Sequence, residues 1–207
     1  MCSSSGVAMT IPYTKYLEIK DKYCIAYYGV FNEFIWQLNY LRPAIEKELP
    51  GVQLYISCKD ELKEINSERI VPQSHFNKHN FAYVRKLNFN NISHPIEDLL
   101  EESNITLKYL NLPQPTSQNK RCVLLTNGLG GVRSLPQDKQ REVIKHIEKM
   151  GYFIENSNVE EAGWVVGVEC ESFYKAAIAG IKVTLLPTGF GTKFFQKLFP
   201  QGEIYKL

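Results

Sequence analysis

Five groups of residues in this sequence of 207 have types and spacings suited to chemistry. The first is a carboxylate, Glu33, which closes residues 29–33 (GVFNE) after an apolar run. A carboxylate at such a turn can take a proton from a hydroxyl group, or it can be a solvated acid in the first turn of a helix. The second is residues 126–131, TNGLGG. Thr126, Asn127, Gly128, Gly130 and Gly131 would let backbone amides approach a phosphate. The string is neither GxGxxG nor a P-loop, and a plain strand-to-helix turn reads the same way. The third group is Glu169, Cys170, Glu171 and Ser172. Acids and serine cap helix N-termini. Alternatively, Glu169 or Glu171 accepts hydrogen bonds from ribose or sugar hydroxyls while Ser172 faces a diphosphate. The fourth is residues 188–193, TGFGTK, in which Thr188, Gly189, Thr192 and Lys193 could hold phosphate or sugar, or simply cap the last helix. The fifth is His75, His79 and His94. His75 and His79 stand four apart, but a third ligand at metal spacing is lacking, so no metal is expected. No GxSxG or HExxH string is present.

The elements that must carry these residues follow from periodicity. Residues 23–28 (YCIAYY) read as a strand. Phe34, Leu38, Leu41, Ile45 and Leu49 step by three and four, which is helical. Pro43 inside that pattern predicts a kink or restart. Residues 52–57 read as a second strand, which makes a β-α-β unit with parallel strands. A short charged helix over 59–66 and a brief strand at 69–71 follow. Residues 75–91 have no clear period. Residues 96–103 read as a helix, and the polar, proline-bearing stretch 111–119 is the linker candidate. Beyond it, strands are predicted at 122–126, 152–154, 164–168 and 182–186. Helices fall at 138–150, 171–179 and 189–199, the first with Val143, Ile144, Ile147 and Met150 on one face. Alternation of this kind implies a parallel sheet covered on both sides. In such sheets ligands bind at the carboxyl ends of the strands, which is where four of the five groups fall.

Bulk properties narrow the class. Net charge is +2, which implies neither a nucleic-acid nor a membrane partner. The five cysteines are odd in number, widely spaced and outside any CxxC pattern, so neither a disulfide framework nor a zinc site is expected. Cys24, Cys58 and Cys122 lie in apolar runs, as small buried hydrophobes do. The first residues lack the features of a signal peptide, and no run approaches the roughly 18 apolar residues of a membrane span. A cytoplasmic chain is expected. His146 reads as exposed on a charged helix face.

Three segments are similar to a known family. Residues 41–56, LRPAIEKELPGVQLYI, resemble the first helix and second strand of heptosyltransferase-like glycosyltransferases. Those proteins carry a presumed catalytic acid after the first strand, and Glu33 falls near that place. Residues 164–186, WVVGVECESFYKAAIAGIKVTLL, are similar to the segment that surrounds the donor's nucleotide and diphosphate in GT-B glycosyltransferases, and TNGLGG matches the loop that opens their donor domain. The resemblance implies a minimal GT-B-like α/β fold. Its two small Rossmann-like parallel-sheet halves, 1–115 on the acceptor side and 116–207 on the nucleotide-sugar side, would face a cleft. It implies a glycosyltransferase using a nucleotide-sugar donor, inverting and metal-independent, with Glu33 as base and no separate cofactor. The alternatives are a non-catalytic nucleotide or nucleotide-sugar binding protein, such as a sensor or sequestering factor, and a structural subunit. The sequence does not fix the oligomeric state.

Overall fold

A computed structural model describes residues 22–62, 69–88, 94–106, 119–128, 134–156, 158–187, 191–199 and 202–206. The chain divides into two compact units. One holds the described residues of Met1–Gly29 and Leu38–Lys108, the other those of Val30–Gln37 and Tyr109–Leu207.

The first unit carries a four-stranded sheet in the order β3-β2-β1-β4. Its strands are β1 (Lys22–Ala26), β2 (Gln53–Cys58), β3 (Ile70–Pro72) and β4 (Tyr83–Lys86), all parallel. Helix α1 (Glu33–Glu48) makes the β1-to-β2 crossover, and α2 (Pro95–Glu102) follows β4. The apolar steps of α1 do what their spacing predicts, because Leu38, Leu41, Ile45 and Leu49 are all buried. The Glu46 carboxylate accepts the Leu54 amide at 2.8 Å, which ties α1 to β2. Pro43 does not restart the helix. It sits on the exposed face of one uninterrupted element, where the missing N–H breaks no buried bond. The charged stretch at 59–66 forms a 3-10 turn at Asp60–Leu62, and residues 63–68 lie outside the described ones. In the segment without a period, Gln73–Lys78 is a 3-10 turn and β4 is a strand. That edge strand alternates between half-buried and exposed positions, a weak signal in a segment rich in His and Asn.

The second unit carries a five-stranded sheet in the order β6-β5-β7-β8-β9. The strands are β5 (Arg121–Leu125), β6 (Phe153–Ile154), β7 (Trp164–Gly167), β8 (Lys182–Leu185) and β9 (Glu203–Ile204), again all parallel. Helices α3 (Gln137–Lys149), α4 (Glu171–Ile178) and α5 (Gly191–Leu198) provide three of the four crossovers, and the 3-10 turn Val159–Glu161 lies on the path from β6 to β7. On one face α3 packs Val143 and Ile147 onto Cys122, Trp164, Val166 and Val168. Met150, read as part of that apolar face, is instead 50% exposed. It is the C-cap residue just before Gly151, whose φ of +77° turns the chain away. By strand alternation Val165 points to the other face and is also buried. A strand covered on both sides reads as a continuous apolar run, which is how WVVGV reads.

Gly167 shows how tightly β7 packs on β5. A Cβ there would lie 2.6 Å from the Leu125 Cβ, the residue paired with it in register. That atom is fixed to its own backbone and cannot swing aside. Gly167→Ala is therefore expected to destabilise the chain by about 1–3 kcal/mol, read as a lower midpoint in urea unfolding. An unchanged midpoint would show that the two strands separate freely. Among the described residues no helix is long and apolar enough to cross a membrane.

Candidate functional site

Strand order in the second unit fixes where a ligand would sit. β5 connects through α3 to β6 on one side, while β7 and β8 lie on the other. The order reverses between β5 and β7, and a crevice opens outside the carboxyl ends of strands at such a switch point. The loop after β5 begins with Thr126, Asn127 and Gly128, of which Asn127 is exposed. Gly130 and Gly131 lie outside the described residues. The loop after β7 carries Glu169 and Cys170 into α4, whose first turn holds Glu171 and Ser172. Thr188 and Gly189, after β8, are outside the described residues. Thr192 and Lys193 are in the first turn of α5, with Lys193 exposed.

Glu33 is not where a reading of the first sheet alone would put it. It begins α1, but residues Val30–Gln37 belong to the second unit. It is 1% exposed, whereas a base projecting towards a cleft, or a solvated acid in the first helical turn, was expected. The segment is held beside the loop after β7. Asn32 Nδ2 donates to Glu171 Oε2 at 3.0 Å, and Trp36 Nε1 donates to Glu171 Oε1 at 3.3 Å. Lys175, one turn on in α4, pairs with Glu171 at 3.1 Å and lies 5.0 Å from the centroid of the Trp36 ring. The negative charge of Glu171 is thus compensated at a helix N-terminus, where an uncompensated acid would repel an anion.

Behind this contact lies a buried polar network. Glu169 is 4% exposed. Its Oε1 accepts the Tyr174 hydroxyl at 2.8 Å and, at a long 3.5 Å, the Gln37 amide. Burial, and after it the negative charge of Glu169, push the Tyr174 phenol well above its usual range, so it stays protonated and donates. The Cys170 thiol is pushed up to about 11 by burial, against the pull of the Phe173 and Ser172 amides. It is therefore a thiol rather than a thiolate nucleophile at neutral pH. Burial likewise raises Cys24 and Cys122 to about 12 and Cys58 to about 11.

Asn32, Trp36, Gln37 and Tyr174 are residues of this contact that the sequence did not single out. One signal was available. Gln37 stands four residues after Glu33, among the apolar steps Phe34, Leu38 and Leu41. A polar pair on a buried stripe needs partners. His75, His79 and His94 belong to the first unit. His79 stacks on Phe81 in the first unit at 5.4 Å between centroids, and His94 is the buried N-cap residue of α2. Among the described residues no group of three His, Cys, Asp or Glu side chains is arranged to hold a metal ion.

No protein-family model matches the sequence, and no curated protein matches it. Solved structures match in fold. A glycosyltransferase of family 9 from Veillonella parvula aligns with a TM-score of 0.56 at 9% identity, over 97% of this chain and 87% of that one. The iron-containing dodecameric glycosyltransferase TibC of enterotoxigenic E. coli aligns with a TM-score of 0.55 at 9% identity, over 81% of this chain. The alignment spans only 58% of the length of TibC. The E. coli heptosyltransferase WaaC, solved with ADP-2-deoxy-2-fluoro heptose, aligns with a TM-score of 0.51 at 12% identity, over 89% of this chain and 93% of that one. Two parallel α/β units, of four and five strands, give this chain the fold of the heptosyltransferase-like glycosyltransferases.

Proposed function

We propose that the chain is a glycosyltransferase that takes a nucleotide-sugar donor, inverts at the anomeric carbon and needs neither a metal ion nor a separate cofactor. The observation that carries this reading is the contact of Asn32 and Trp36 with Glu171, which brings the Glu33 segment to the loop after β7 within one unit. In the proposal the diphosphate rests on the first-turn amides and hydroxyl of Ser172, with the loop at Thr126, Asn127 and Gly128 on its other side. Gly130, Gly131, Thr188 and Gly189, outside the described residues, are assigned to the same ligand from the sequence alone. Glu171, partly exposed, accepts a ribose or sugar hydroxyl, and Glu169 is held behind it by Tyr174. Thr192 and Lys193 meet the leaving diphosphate, whose growing charge they and the amide dipoles offset. Glu33 turns out of its burial to take the proton of an acceptor hydroxyl.

One observation favours a second reading, a non-catalytic nucleotide or nucleotide-sugar binding protein. Both Glu33 and Glu169 are buried, as structural acids would be. Thermal shifts with UDP-, GDP-, ADP- and CMP-sugars test the shared part. At a hundredfold excess over Kd, one of them is expected to stabilise the chain by about 2.7 kcal/mol, raising Tm by about 5–10 °C. No shift with any donor sinks both readings. A shift without turnover in chelator-treated buffer, across a panel of acceptors, selects the second.

A further inference from the structure

The second unit also carries a groove away from the carboxyl-edge loops. It has a volume of about 510 Å³, within the range of small-molecule sites. Strand pairing explains why it is open. Trp164 pairs with Lys182, and Thr184 pairs with Glu203, so all four share the sheet face on which Trp164 meets α3. Val143 and Ile147 of α3 cover the apolar part of that face. Over β8 and β9 the same face bears Lys182, Thr184 and Glu203, which need no apolar cover. The groove lies there, lined also by His146, Met150 and Tyr205.

Its floor is a fixed polar chain. Trp164 Nε1 donates to Thr184 Oγ1 at 3.0 Å, and Thr184 Oγ1 donates to Glu203 Oε2 at 2.7 Å. Lys182 pairs with Glu203 at 3.5 Å and lies 4.7 Å from the centroid of the Trp164 ring. The His146 and Tyr205 rings meet nearly edge-on, 5.1 Å apart at 73°.

These features select a ligand class. Lys182 and Glu203 neutralise each other on the floor, and Lys206, the other charged lining residue, is exposed to solvent, where its charge is screened. The edge-on rings leave no parallel slot for a flat heterocycle. The polar floor disfavours a purely apolar guest. A saccharide ring has an apolar C–H face for the Tyr205 ring and a rim of hydroxyls for Glu203 and Lys182. We propose that this groove is a binding subsite for a neutral saccharide, separate from the site at the strand ends. The inference does not depend on the proposed function: a chain that binds no nucleotide-sugar can still hold a sugar here.

The test is a ¹H–¹⁵N titration of the full chain with neutral mono- and disaccharides, with ADP as a charged control. The Trp164 indole resonance is assigned from Trp36→Phe, which removes the other indole. The expected result is a saturable shift of that resonance and of the amides of residues 203–206 with at least one neutral sugar and not with ADP. Glu203→Gln keeps an acceptor for Thr184 and is expected to weaken the sugar about tenfold. Tyr205→Ala, which leaves the polar floor in place, is expected to weaken it at least as much. Absence of a saturable shift with any neutral sugar, a shift with ADP instead, or full affinity in both variants would overturn the proposal.

Discussion

Phe195→Ala is expected to lower the stability of the chain by about 3–5 kcal/mol. The ring is fully buried. It stands 5.6 Å from Phe173 of α4 at 65° and 5.5 Å from Phe199, edge-on and tilted contacts that favour aromatic pairs. A Cβ on Gly202 would come within 2.6 Å of it, so the turn before β9 closes directly on this ring. Helix α5 has only eight residues and cannot persist alone. The buried Phe194, Phe195 and Leu198 hold it to the sheet. Native domains have about 5–15 kcal/mol in total, so the loss would leave little margin. Guanidinium unfolding of the full chain, followed by circular dichroism, is the measurement. Phe195→Leu keeps most of the volume and is expected to cost less. A midpoint unmoved by Phe195→Ala would mean that this aromatic cluster does not support the fold.

Glu33→Gln is expected to lower donor turnover by about 10²–10⁴-fold, the usual contribution of a general base, with donor affinity retained. The substitution keeps shape and removes the ability to accept a proton. Tyr174→Phe is the companion. It removes the donor to Glu169 Oε1 without adding volume, and its effect is expected on donor Kd more than on kcat. Turnover by Glu33→Gln equal to that of the parent chain would remove Glu33 from the mechanism, whatever the donor. Isothermal titration with the donor found by thermal shift separates the two effects.

Much of the fold was legible from local pattern. The 3.6-residue stripe from Phe34 to Leu49 gave α1, and the runs around Tyr23, Leu54, Val123, Val165 and Val183 gave five strands. Elements without a strong stripe escaped. The two-residue β9, with Glu203 turned to an uncovered face, has too little apolar signal to stand out. β4 was lost among aromatic and amide residues, and Pro43 lies inside one uninterrupted helix rather than at a restart. The loops at the strand ends were legible because glycines and acids stand out after apolar runs. The site's internal wiring was not. The bonds of Asn32, Trp36 and Gln37 join residues 132 to 139 apart, and no local period encodes a partner at that range.

That separation also bears on how the chain is made. Residues Val30–Gln37 leave the ribosome well before β5 to β9, yet they belong to the unit that contains those strands. The acceptor for Asn32 and Trp36 is not synthesised until Glu171. Contacts of such sequence separation slow folding, and domains ordinarily fold as units in order of synthesis. Here strict N-to-C order is closed off: the start of α1 must wait, half committed, for the last third of the chain. A fragment begun at Tyr109 would keep Lys175 beside Glu171 but lose Asn32, Trp36 and the Gln37 amide that reaches Glu169.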